Sequence, residues 1–346
     1  MLAARLHEGD RRLRLEDVPI PKPDGAQVLV RVAGAGVCHS DLHLLDDPVE
    51  SEFLRPPVTL GHEIAGWVHE LGPKATNVRL DDPVVVLCVT GCGNCLRCAE
   101  GHHELCPSAS ITGAMEDGGF AEYVLVPHEH RLVPLSGLDP VAAAPLADAA
   151  LTPYRALARV RDTLPDRPTI VIIGIGGLGE YAVQLAQVVA GAQVIAVDVR
   201  EERLARAAEL GARRGVAASP DAAAEIRAHT GGEGAPAVLD FVGSDESLAL
   251  SAAVVATRGT VVLIGAGGGS IPMGFRTLPA EATFTALLSG GTAEYLSAVV
   301  SLAEEGRIGG EVTTYPLRSV NDALDDLRDG RIAGRAVVMP GEGARR

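Results

Sequence analysis

The sequence predicts an α/β protein with two domains, one rich in β-strands and one built as a doubly wound parallel sheet. Its 346 residues exceed the usual length of a single domain. Up to about residue 150, short apolar runs recur between prolines and glycines, which is typical of β-structure. From Thr169 onward, apolar runs alternate with helical stretches, which is typical of a parallel sheet covered by helices.

Composition and charge restrict the classes of partner. The chain is 47% hydrophobic and 22% charged, and no apolar run reaches the length of a membrane span. Its net charge of −15 argues against a nucleic acid or an acidic membrane surface as a partner. Charged residues interrupt the N-terminal stretch, which therefore lacks a secretory pattern. We expect a cytoplasmic protein, whose six cysteines serve as metal ligands or free thiols.

The β-rich region is expected to form a compact barrel that carries long functional loops. The predicted strands are Val28 to Val32, Ile64 to Leu71, Pro83 to Val89 and Ala121 to Val126. After the first of them, Gly36 to His43 reads GVCHSDLH and holds a thiol, a hydroxyl, a carboxylate and two imidazoles. By itself this octet is equally consistent with a polar turn that contains a buried cysteine.

A second short motif, Gly61-His62-Glu63, precedes the next strand and suggests a partner for the octet. A thiolate from Cys38, the imidazole of His62 and one carboxylate make a three-ligand zinc site whose fourth position is open for catalysis. Glu63 would lie behind the ligands or replace one of them during substrate exchange. Asp41 is a candidate to accept the other ring N–H of His62, and an ordinary turn carboxylate is the alternative.

The third ligand is expected further along the chain. Residues 139–158 are alanine-rich and predict helix, and Asp148 is a single charge in the apolar stretch Pro145 to Thr152. A buried carboxylate needs a partner, and a metal ion is an efficient one. A helix N-cap is the alternative, because spacing alone does not distinguish the two roles.

Four cysteines form a second predicted metal site. They are Cys92, Cys95, Cys98 and Cys106. Three thiols at a spacing of three residues and a fourth nearby predict a closed tetrahedral zinc site, with an iron–sulfur cluster as the main rival. Because such a site leaves no open position, we assign it a structural role and no chemistry. Cys88 remains, and we expect it to pack in the preceding strand as a small hydrophobe.

The α/β region opens with a dinucleotide-binding pattern. The apolar strand Thr169 to Ile173 is followed by a glycine-rich turn, a helical run to Ala190, and the strand Gln193 to Val197, which ends in Asp198. This order predicts a Rossmann unit. The predicted cofactor contacts in the turn are Gly174, Gly176, Gly177, Leu178 and Gly179. Asp198 would bind the adenosine ribose and favour NAD over NADP, although Arg200 could tolerate a 2′-phosphate.

The rest of the chain continues the alternation. Strands are predicted near 237–242 and 260–264, and Phe284 to Leu288 is predicted as an edge strand that could pair with another subunit. Two helical segments follow residue 290, and Ala336 to Met339 is the predicted terminal strand. Arg335 precedes that strand and could reach a phosphate, with a surface arginine as the alternative.

Taken together, these motifs make the chain resemble the zinc-dependent medium-chain alcohol dehydrogenases, especially the bacterial secondary-alcohol type. The resemblance rests on GVCHSD at 36–41, GHE at 61–63, the four-cysteine segment at 92–106, PLADAALTPY at 145–154 and the dinucleotide fingerprint at 174–179. It implies a GroES-like β-barrel catalytic domain of residues 1–153 and 290–346. It also implies a Rossmann dinucleotide-binding domain of residues 154–289.

The resemblance also implies residue roles. Cys38, His62 and Asp148 match the catalytic zinc ligands, and the four clustered cysteines match the structural zinc. Ser40 and His43 match a proton relay that includes the nicotinamide ribose. The remaining matches are Glu63 to the acid beside the zinc, and His39, Thr152 and Arg335 to cofactor contacts. Many family members carry cysteine or glutamate as the third ligand, whereas Asp148 matches the secondary-alcohol branch.

The implied activity is NAD-linked oxidation of secondary alcohols to ketones or aldehydes, and the reverse reduction, with two zinc ions per chain. The implied partners are a small alcohol or ketone and further copies of the chain in a homodimer or homotetramer. The nearest alternative is a polyol dehydrogenase of the sorbitol or threonine type. More distant alternatives are a zinc-free quinone or enone reductase and a non-catalytic NAD-binding protein, which the complete ligand and relay sets disfavour.

Overall fold

The computed structural model describes residues 1–46, 54–272, 274–275 and 277–341, and the chain divides into two compact units. Unit 1 comprises Met1–Leu151 and Gly290–Arg346, and unit 2 comprises Thr152–Ser289. The sequence predicted domains of 1–153 with 290–346, and 154–289. Residues 47–53 and 342–346 of the first predicted domain, and residues 273 and 276 of the second, lie outside the described residues.

The described residues form eighteen strands and ten α-helices. In chain order the strands are β1 (Leu2–Leu6), β2 (Arg14–Asp17), β3 (Val28–Val37), β4 (Val58–Thr59), β5 (Glu63–Leu71), β6 (Pro83–Val86), β7 (Val89–Thr90), β8 (Ser110–Ile111), β9 (Tyr123–Val126), β10 (Leu132–Pro134), β11 (Thr169–Ile173), β12 (Gln193–Asp198), β13 (Arg214–Ala217), β14 (Ala235–Asp240), β15 (Val255–Leu263), β16 (Thr283–Ala286), β17 (Val312–Pro316) and β18 (Arg335–Met339). The α-helices are α1 (His39–Asp46), α2 (Leu96–Ala99), α3 (Pro140–Ala143), α4 (Leu151–Arg161), α5 (Gly177–Ala190), α6 (Glu201–Glu209), α7 (Ala222–His229), α8 (Asp245–Val254), α9 (Ala293–Glu304) and α10 (Val320–Arg328). Among these helices, none combines the length and apolar character needed to cross a bilayer.

Unit 1 is organised around a mixed sheet. Its order is β10-β6-β5-β3-β18-β17, and β9 also pairs with β3. β3 and β5 are antiparallel neighbours whose side chains supply much of the unit's apolar core. Two smaller sheets, β2-β1-β4 and the hairpin β7-β8, complete the strands described in this unit.

Unit 2 contains a single six-stranded sheet among its described residues. The order is β13-β12-β11-β14-β15-β16, and every pairing is parallel. Starting from β11, the chain adds strands outward on one side and then on the other, which is the doubly wound order of dinucleotide-binding domains. The predicted α/β fold with this sheet is therefore confirmed.

Several local predictions need correction. The strand predicted over Pro83 to Val89 is interrupted between β6 and β7, and the octet Gly36 to His43 continues from the end of β3 into the first residues of α1 rather than forming a turn. β17 was not predicted, because VTTYP alternates only weakly and is mostly exposed. The predicted edge strand Phe284 to Leu288 lies at Thr283–Ala286.

Candidate active site

Three separate elements of unit 1 bring the predicted catalytic ligands together. Cys38 follows the end of β3 and His62 precedes the start of β5, and these two strand ends are opposed because Gly36 pairs with Glu63 in the sheet. Asp148 follows a short 3₁₀ turn at Ala144–Ala147. The fold therefore gathers side chains that are up to 110 residues apart.

The ligand atoms of this cluster converge on one point. Asp148 Oδ2 lies 3.7 Å from Cys38 Sγ and 3.8 Å from His62 Nε2. With Glu63 included, the potential ligand atoms all lie within 4.8 Å of one another. A thiol, an imidazole and carboxylates form the donor set that zinc takes at catalytic sites.

The electrostatics of the cluster also favour a bound cation. All four residues are buried, and Glu63 is completely inaccessible. Burial lowers the pKa of His62, but the carboxylates of Asp41 and Asp148 raise it well above its ordinary value. Burying several acidic groups together is costly unless positive charge compensates them. The residues present therefore fit a divalent metal ion.

Asp41 connects two of the ligands. Its Oδ2 accepts a 2.9 Å hydrogen bond from the backbone N–H of Cys38. Its Oδ1 lies 3.5 Å from Nδ1 of His62, longer than an ordinary hydrogen bond, and has no hydrogen-bond partner among the described residues. Asp41 is completely buried, and it faces the ring nitrogen of His62 that points away from Cys38 and Asp148. This is the arrangement that fixes the tautomer of a metal-binding histidine.

Glu63 forms a buried ion pair with Arg335. Nη2 of Arg335, on β18, donates a hydrogen bond to Glu63 Oε1, and both residues are at most 4% exposed. Glu63 Oε2 has no hydrogen-bond partner among the described residues. A Cβ placed on Gly36 would lie 1.9 Å from that oxygen, so the glycine leaves the space that the carboxylate occupies.

The pKa of this pair reflects burial and charge. Burial raises the pKa of Glu63 to about 7, against the opposing effect of Arg335. The sequence predicted Arg335 to be a pyrophosphate contact. In the structure the guanidinium of Arg335 is paired with Glu63. The pyrophosphate contact stays a prediction.

The predicted relay residues lie on α1. Ser40 Oγ is 3.4 Å from Cys38 Sγ, and His43 lies three residues further along the same helix. Residues at this spacing share a helix face. Ser40 is exposed and His43 is half-buried, so both are accessible to small molecules within this unit. His39, a predicted cofactor contact, is the exposed first residue of the helix.

The four predicted structural ligands form a second cluster in unit 1. The Sγ atoms of Cys92, Cys95, Cys98 and Cys106 all lie within 4.8 Å of one another, and none forms a disulfide. Backbone N–H groups point at the sulfurs: that of Gly93 lies 3.3 Å from Cys98 Sγ, and that of Ser108 lies 3.3 Å from Cys106 Sγ. These contacts stabilise thiolates, so the cluster fits a closed tetrahedral metal centre.

In unit 2, the three fingerprint glycines have different physical roles. Gly174 has a φ of 87°, which a side chain rarely tolerates. A Cβ on Gly179 would lie 2.1 Å from the carbonyl oxygen of Gly174, so this glycine allows close packing of α5. Beside Gly176, the N-cap of α5, a Cβ would meet only an arginine at 3.9 Å, leaving the helix N-terminus open to an anion. Gly177 and Leu178 form the first helical turn.

Asp198 lies at the end of β12, beside this loop. Its Oδ2 accepts a 2.7 Å hydrogen bond from the N–H of Ile175, and Oδ1 accepts one of 3.0 Å from the N–H of Arg200. Nη1 of Arg203 lies 3.7 Å from Asp198 Oδ2 and also faces Gly176. Sequence reasoning considered Arg200 and missed Arg203, which a helix starting at Glu201 would have placed one turn past Asp198. Thr152 lies fully buried near the start of α4.

Comparisons with known proteins agree with this architecture. Residues 24–137 match the family model described as alcohol dehydrogenase GroES-like domain, and residues 177–305 match zinc-binding dehydrogenase. An NAD-dependent alcohol dehydrogenase of Sulfurisphaera tokodaii is 41% identical, covering 98% of this chain and 100% of the relative. A D-arabinose 1-dehydrogenase (NADP(+)) of Saccharolobus solfataricus is 35% identical, covering 98% and 97%.

A solved structure gives the same result. The alcohol dehydrogenase of Aeropyrum pernix superposes with a TM-score of 0.91 at 36% identity, covering 98% of this chain and 100% of that one. The chain therefore belongs to the family of zinc-binding alcohol dehydrogenases with a GroES-like domain, as the sequence motifs predicted.

Proposed function

We propose that this protein is a zinc-dependent dehydrogenase that oxidises secondary alcohols to ketones with NAD and catalyses the reverse reduction. The observation that carries the proposal is the convergence of Cys38 Sγ, His62 Nε2 and Asp148 Oδ2 beside the hydroxyl of Ser40. Three donors with different chemistry and an adjacent hydroxyl describe an open catalytic site rather than a closed structural one.

The residues of unit 1 would divide the chemistry among them. Zinc held by Cys38, His62 and Asp148 supplies a Lewis acid that lowers the pKa of an alcohol or polarises a carbonyl. Ser40 Oγ would accept the hydroxyl proton of the substrate as it releases its own proton, which His43, on the same helix face, would pass towards solvent. Asp41 keeps the imidazole of His62 in one tautomer. The buried Arg335 limits the negative charge that Glu63 adds to the cluster.

Unit 2 would bind the dinucleotide, which supplies the hydride-accepting nicotinamide ring. The N-terminus of α5 presents backbone N–H groups to the pyrophosphate, and Asp198 accepts hydrogen bonds from the adenosine ribose. The carboxylate of Asp198 disfavours a 2′-phosphate, which supports NAD over NADP. Arg203, ion-paired with Asp198, would be a further candidate to contact a ribose or phosphate oxygen.

Zinc analysis combined with kinetics tests the proposal. The wild type is expected to contain two zinc ions per chain and to oxidise 2-propanol and aryl secondary alcohols with NAD. Asp148→Ala is expected to retain one zinc and to lose activity, whereas Asp166→Ala, at an exposed position, retains both. A single zinc in the wild type, with turnover unaffected by Asp148→Ala, would leave the zinc-free reductase as the better interpretation.

A sugar or polyol dehydrogenase is the second candidate, because one relative acts on D-arabinose with NADP(+). The two candidates differ in substrate, so the ratio of kcat/KM for 2-butanol to that for D-arabinose and sorbitol separates them. A preference for the polyhydroxylated compounds would replace the proposed substrate class and leave the zinc chemistry intact.

We further propose that the protein is a cytoplasmic homodimer or homotetramer. The cytoplasm is supported by the four clustered thiols, which need a reducing compartment to remain metal ligands. Self-association is supported by β16, which is the edge of its sheet among the described strands, and by the exposed apolar side chains of Phe275 and Leu288, which precede and follow it in the sequence. Light scattering of the wild type and of Phe275→Ser tests the oligomer.

A further inference from the structure

We call residues 91–109, which carry the four clustered cysteines, the lobe. The segment that follows the lobe lies directly against the backbone that carries His62. We call residues 110–120, which return from the lobe to the main sheet, the return limb. Three of its amides donate hydrogen bonds of 2.8–3.0 Å to the segment before His62: Gly118 to Thr59, Gly119 to Gly61, and Phe120 to Leu60. A Cβ on Gly113 would lie 2.4 Å from the carbonyl oxygen of Gly61 and 2.8 Å from the amide nitrogen of His62. The return limb and the segment before His62 therefore cannot shift independently.

A buried arginine holds the return limb in place. Nη1 of Arg131 donates to Thr112 Oγ1 at 2.9 Å and to Glu116 Oε2 at 3.1 Å, and its Nη2 donates to Thr90 Oγ1. The other carboxylate oxygen of Glu116 accepts a 2.8 Å hydrogen bond from Ser110. Thr90 lies in β7 and Ser110 in β8, the two strands that flank the lobe. The network therefore joins these strands to the rest of the return limb.

The chemical character of this network indicates that it fixes the direction of its partners rather than only filling space in the core. The side chain of Arg131 is 6% exposed, and burial lowers the pKa of its guanidinium while Glu116 opposes this. A buried cation contributes less to stability than apolar packing of similar volume. A planar guanidinium, however, fixes several acceptors in defined directions, which apolar contacts do not.

We propose that Arg131 and Glu116 are positioning residues for the catalytic metal site. They fix the return limb, and the limb fixes the backbone at Gly61 and His62. The four-cysteine lobe is thereby coupled to the position of a catalytic ligand, in addition to its own structural role. This inference rests on the proposed function, because it takes His62 as a ligand of the catalytic metal.

Arg131→Met tests the coupling, with Arg97→Met as the matched control. Met keeps an unbranched apolar stem in place of that of arginine and removes every hydrogen bond of the guanidinium. Arg97 lies within the lobe and pairs with Glu100, and both side chains are about half exposed, so its loss should not affect the limb. Both variants are compared with the wild type, using full-length protein loaded with zinc and, separately, with cobalt at the catalytic site.

Three measurements are expected to change in Arg131→Met and not in Arg97→Met. The affinity of the catalytic metal falls about 10- to 100-fold, the usual effect of losing a residue that orients a ligand. The visible absorption bands of catalytic cobalt shift, because the coordination of the metal has changed. Amide exchange accelerates at Gly118, Gly119 and Phe120, whereas the zinc of the four cysteines is retained.

An unchanged cobalt spectrum and metal affinity in Arg131→Met, with only a lower melting temperature, would show that the network is merely structural and overturn the proposal. If Arg131→Met does not fold, Glu116→Gln decides, since it removes the charge but keeps an acceptor oxygen. It is expected to shift the same bands to a smaller extent, and no shift overturns the proposal. A wild type that binds no metal at Cys38, His62 and Asp148 would instead refute the proposed function itself.

Discussion

The two metal-binding clusters of unit 1 are built in opposite ways. The four cysteines lie within one continuous segment, residues 92–106, and Cys92 is exposed. The catalytic cluster draws Cys38, His62 and Asp148 from three distant elements, and every member is buried. A closed site of identical donors needs only a short loop, because the metal itself organises it.

The difference extends to the surroundings of the clusters. The thiols of Cys98 and Cys106 receive backbone N–H groups from Gly93 and Ser108, which lie five and two positions away in the sequence. The catalytic ligands are instead held by side chains from other elements, such as Asp41 on α1 and Arg335, through Glu63, on β18. An open site must keep its geometry when one position exchanges ligand, so its rigidity has to come from the protein. Substitutions should therefore have different consequences in the two clusters.

The largest contrast is expected from replacing one ligand in each cluster. Cys98→Ser should remove one zinc and lower the free energy of unfolding by more than about 4 kcal/mol, because the lobe has little other structure to hold it. Cys38→Ser should reduce turnover by more than about 100-fold, more than the loss of an outer hydrogen-bond partner costs. Metal analysis, chemical denaturation and kinetics on both variants measure these effects. Equal loss of stability in the two would show that both sites are structural.

The next largest effect concerns the ion pair that supports the catalytic cluster. Arg335→Met leaves the carboxylate of Glu63 buried without its partner, and we expect a loss of about 3–5 kcal/mol. The double variant Arg335→Met/Glu63→Gln should recover most of this loss, because no charge is then left unpaired. Denaturant titration of the metal-loaded protein measures both.

The matched control for this pair is Arg214→Met, whose partner Glu225 forms an exposed ion pair in unit 2. Its loss should change the free energy of unfolding by less than about 1 kcal/mol. A similarly small effect of Arg335→Met would contradict the assignment of a structural ion pair behind the catalytic ligands.

A smaller effect on stability is expected from substituting the glycine that packs against each cluster, Gly36 for the catalytic one and Gly91 for the four cysteines. The Cβ of an alanine would lie 1.9 Å from Glu63 Oε2 at position 36 and 2.4 Å from Cys98 Sγ at position 91. Each substitution should cost about 1–3 kcal/mol through overpacking. Gly36→Ala should also reduce turnover, whereas Gly91→Ala should weaken binding of the lobe zinc. Gly137→Ala is the control, because nothing lies within 4 Å of its Cβ. Equal effects of Gly36→Ala and Gly137→Ala on turnover would refute the predicted role of Gly36.

The same contrast explains what sequence reasoning could predict. The cysteine lobe and the glycine fingerprint are contiguous patterns, so spacing alone indicated them and the strands around them. The convergence of Cys38, His62 and Asp148 depends on the register of β3 against β5. The motifs suggested these residues as a zinc site, but spacing alone did not distinguish a ligand role of Asp148 from a helix N-cap, and the resemblance to a family was needed to choose. The network of Arg131 was not predictable, because its partners come from different loops and no periodicity links them. Arg335 was predicted with a different neighbour for the same reason.

The smallest effect is expected at Cys88, the sixth cysteine, which lies between β6 and β7 and belongs to neither cluster. It is 2% exposed, and burial raises the pKa of its thiol to about 12. Below pH 9 the Cys88 thiol is therefore almost entirely protonated, and its small thiolate share increases with pH. After zinc is removed with a chelator, iodoacetamide should modify the exposed Cys92 rapidly and Cys88 far more slowly in the folded protein.

Peptide mass spectrometry of the alkylated protein, repeated between pH 7 and pH 9, tests this expectation. The reaction of Cys88 should accelerate with pH across this whole range, because its raised pKa keeps the thiol protonated throughout. Cys88→Ala provides the matched variant, which should retain both zinc ions and its turnover and lose only about 1 kcal/mol of stability through the lost packing. If Cys88 reacts as fast as Cys92, or if its loss releases a metal ion, then the separation into four structural and three catalytic ligands is wrong. The buried thiol beside the catalytic cluster would then have to be counted among the ligands.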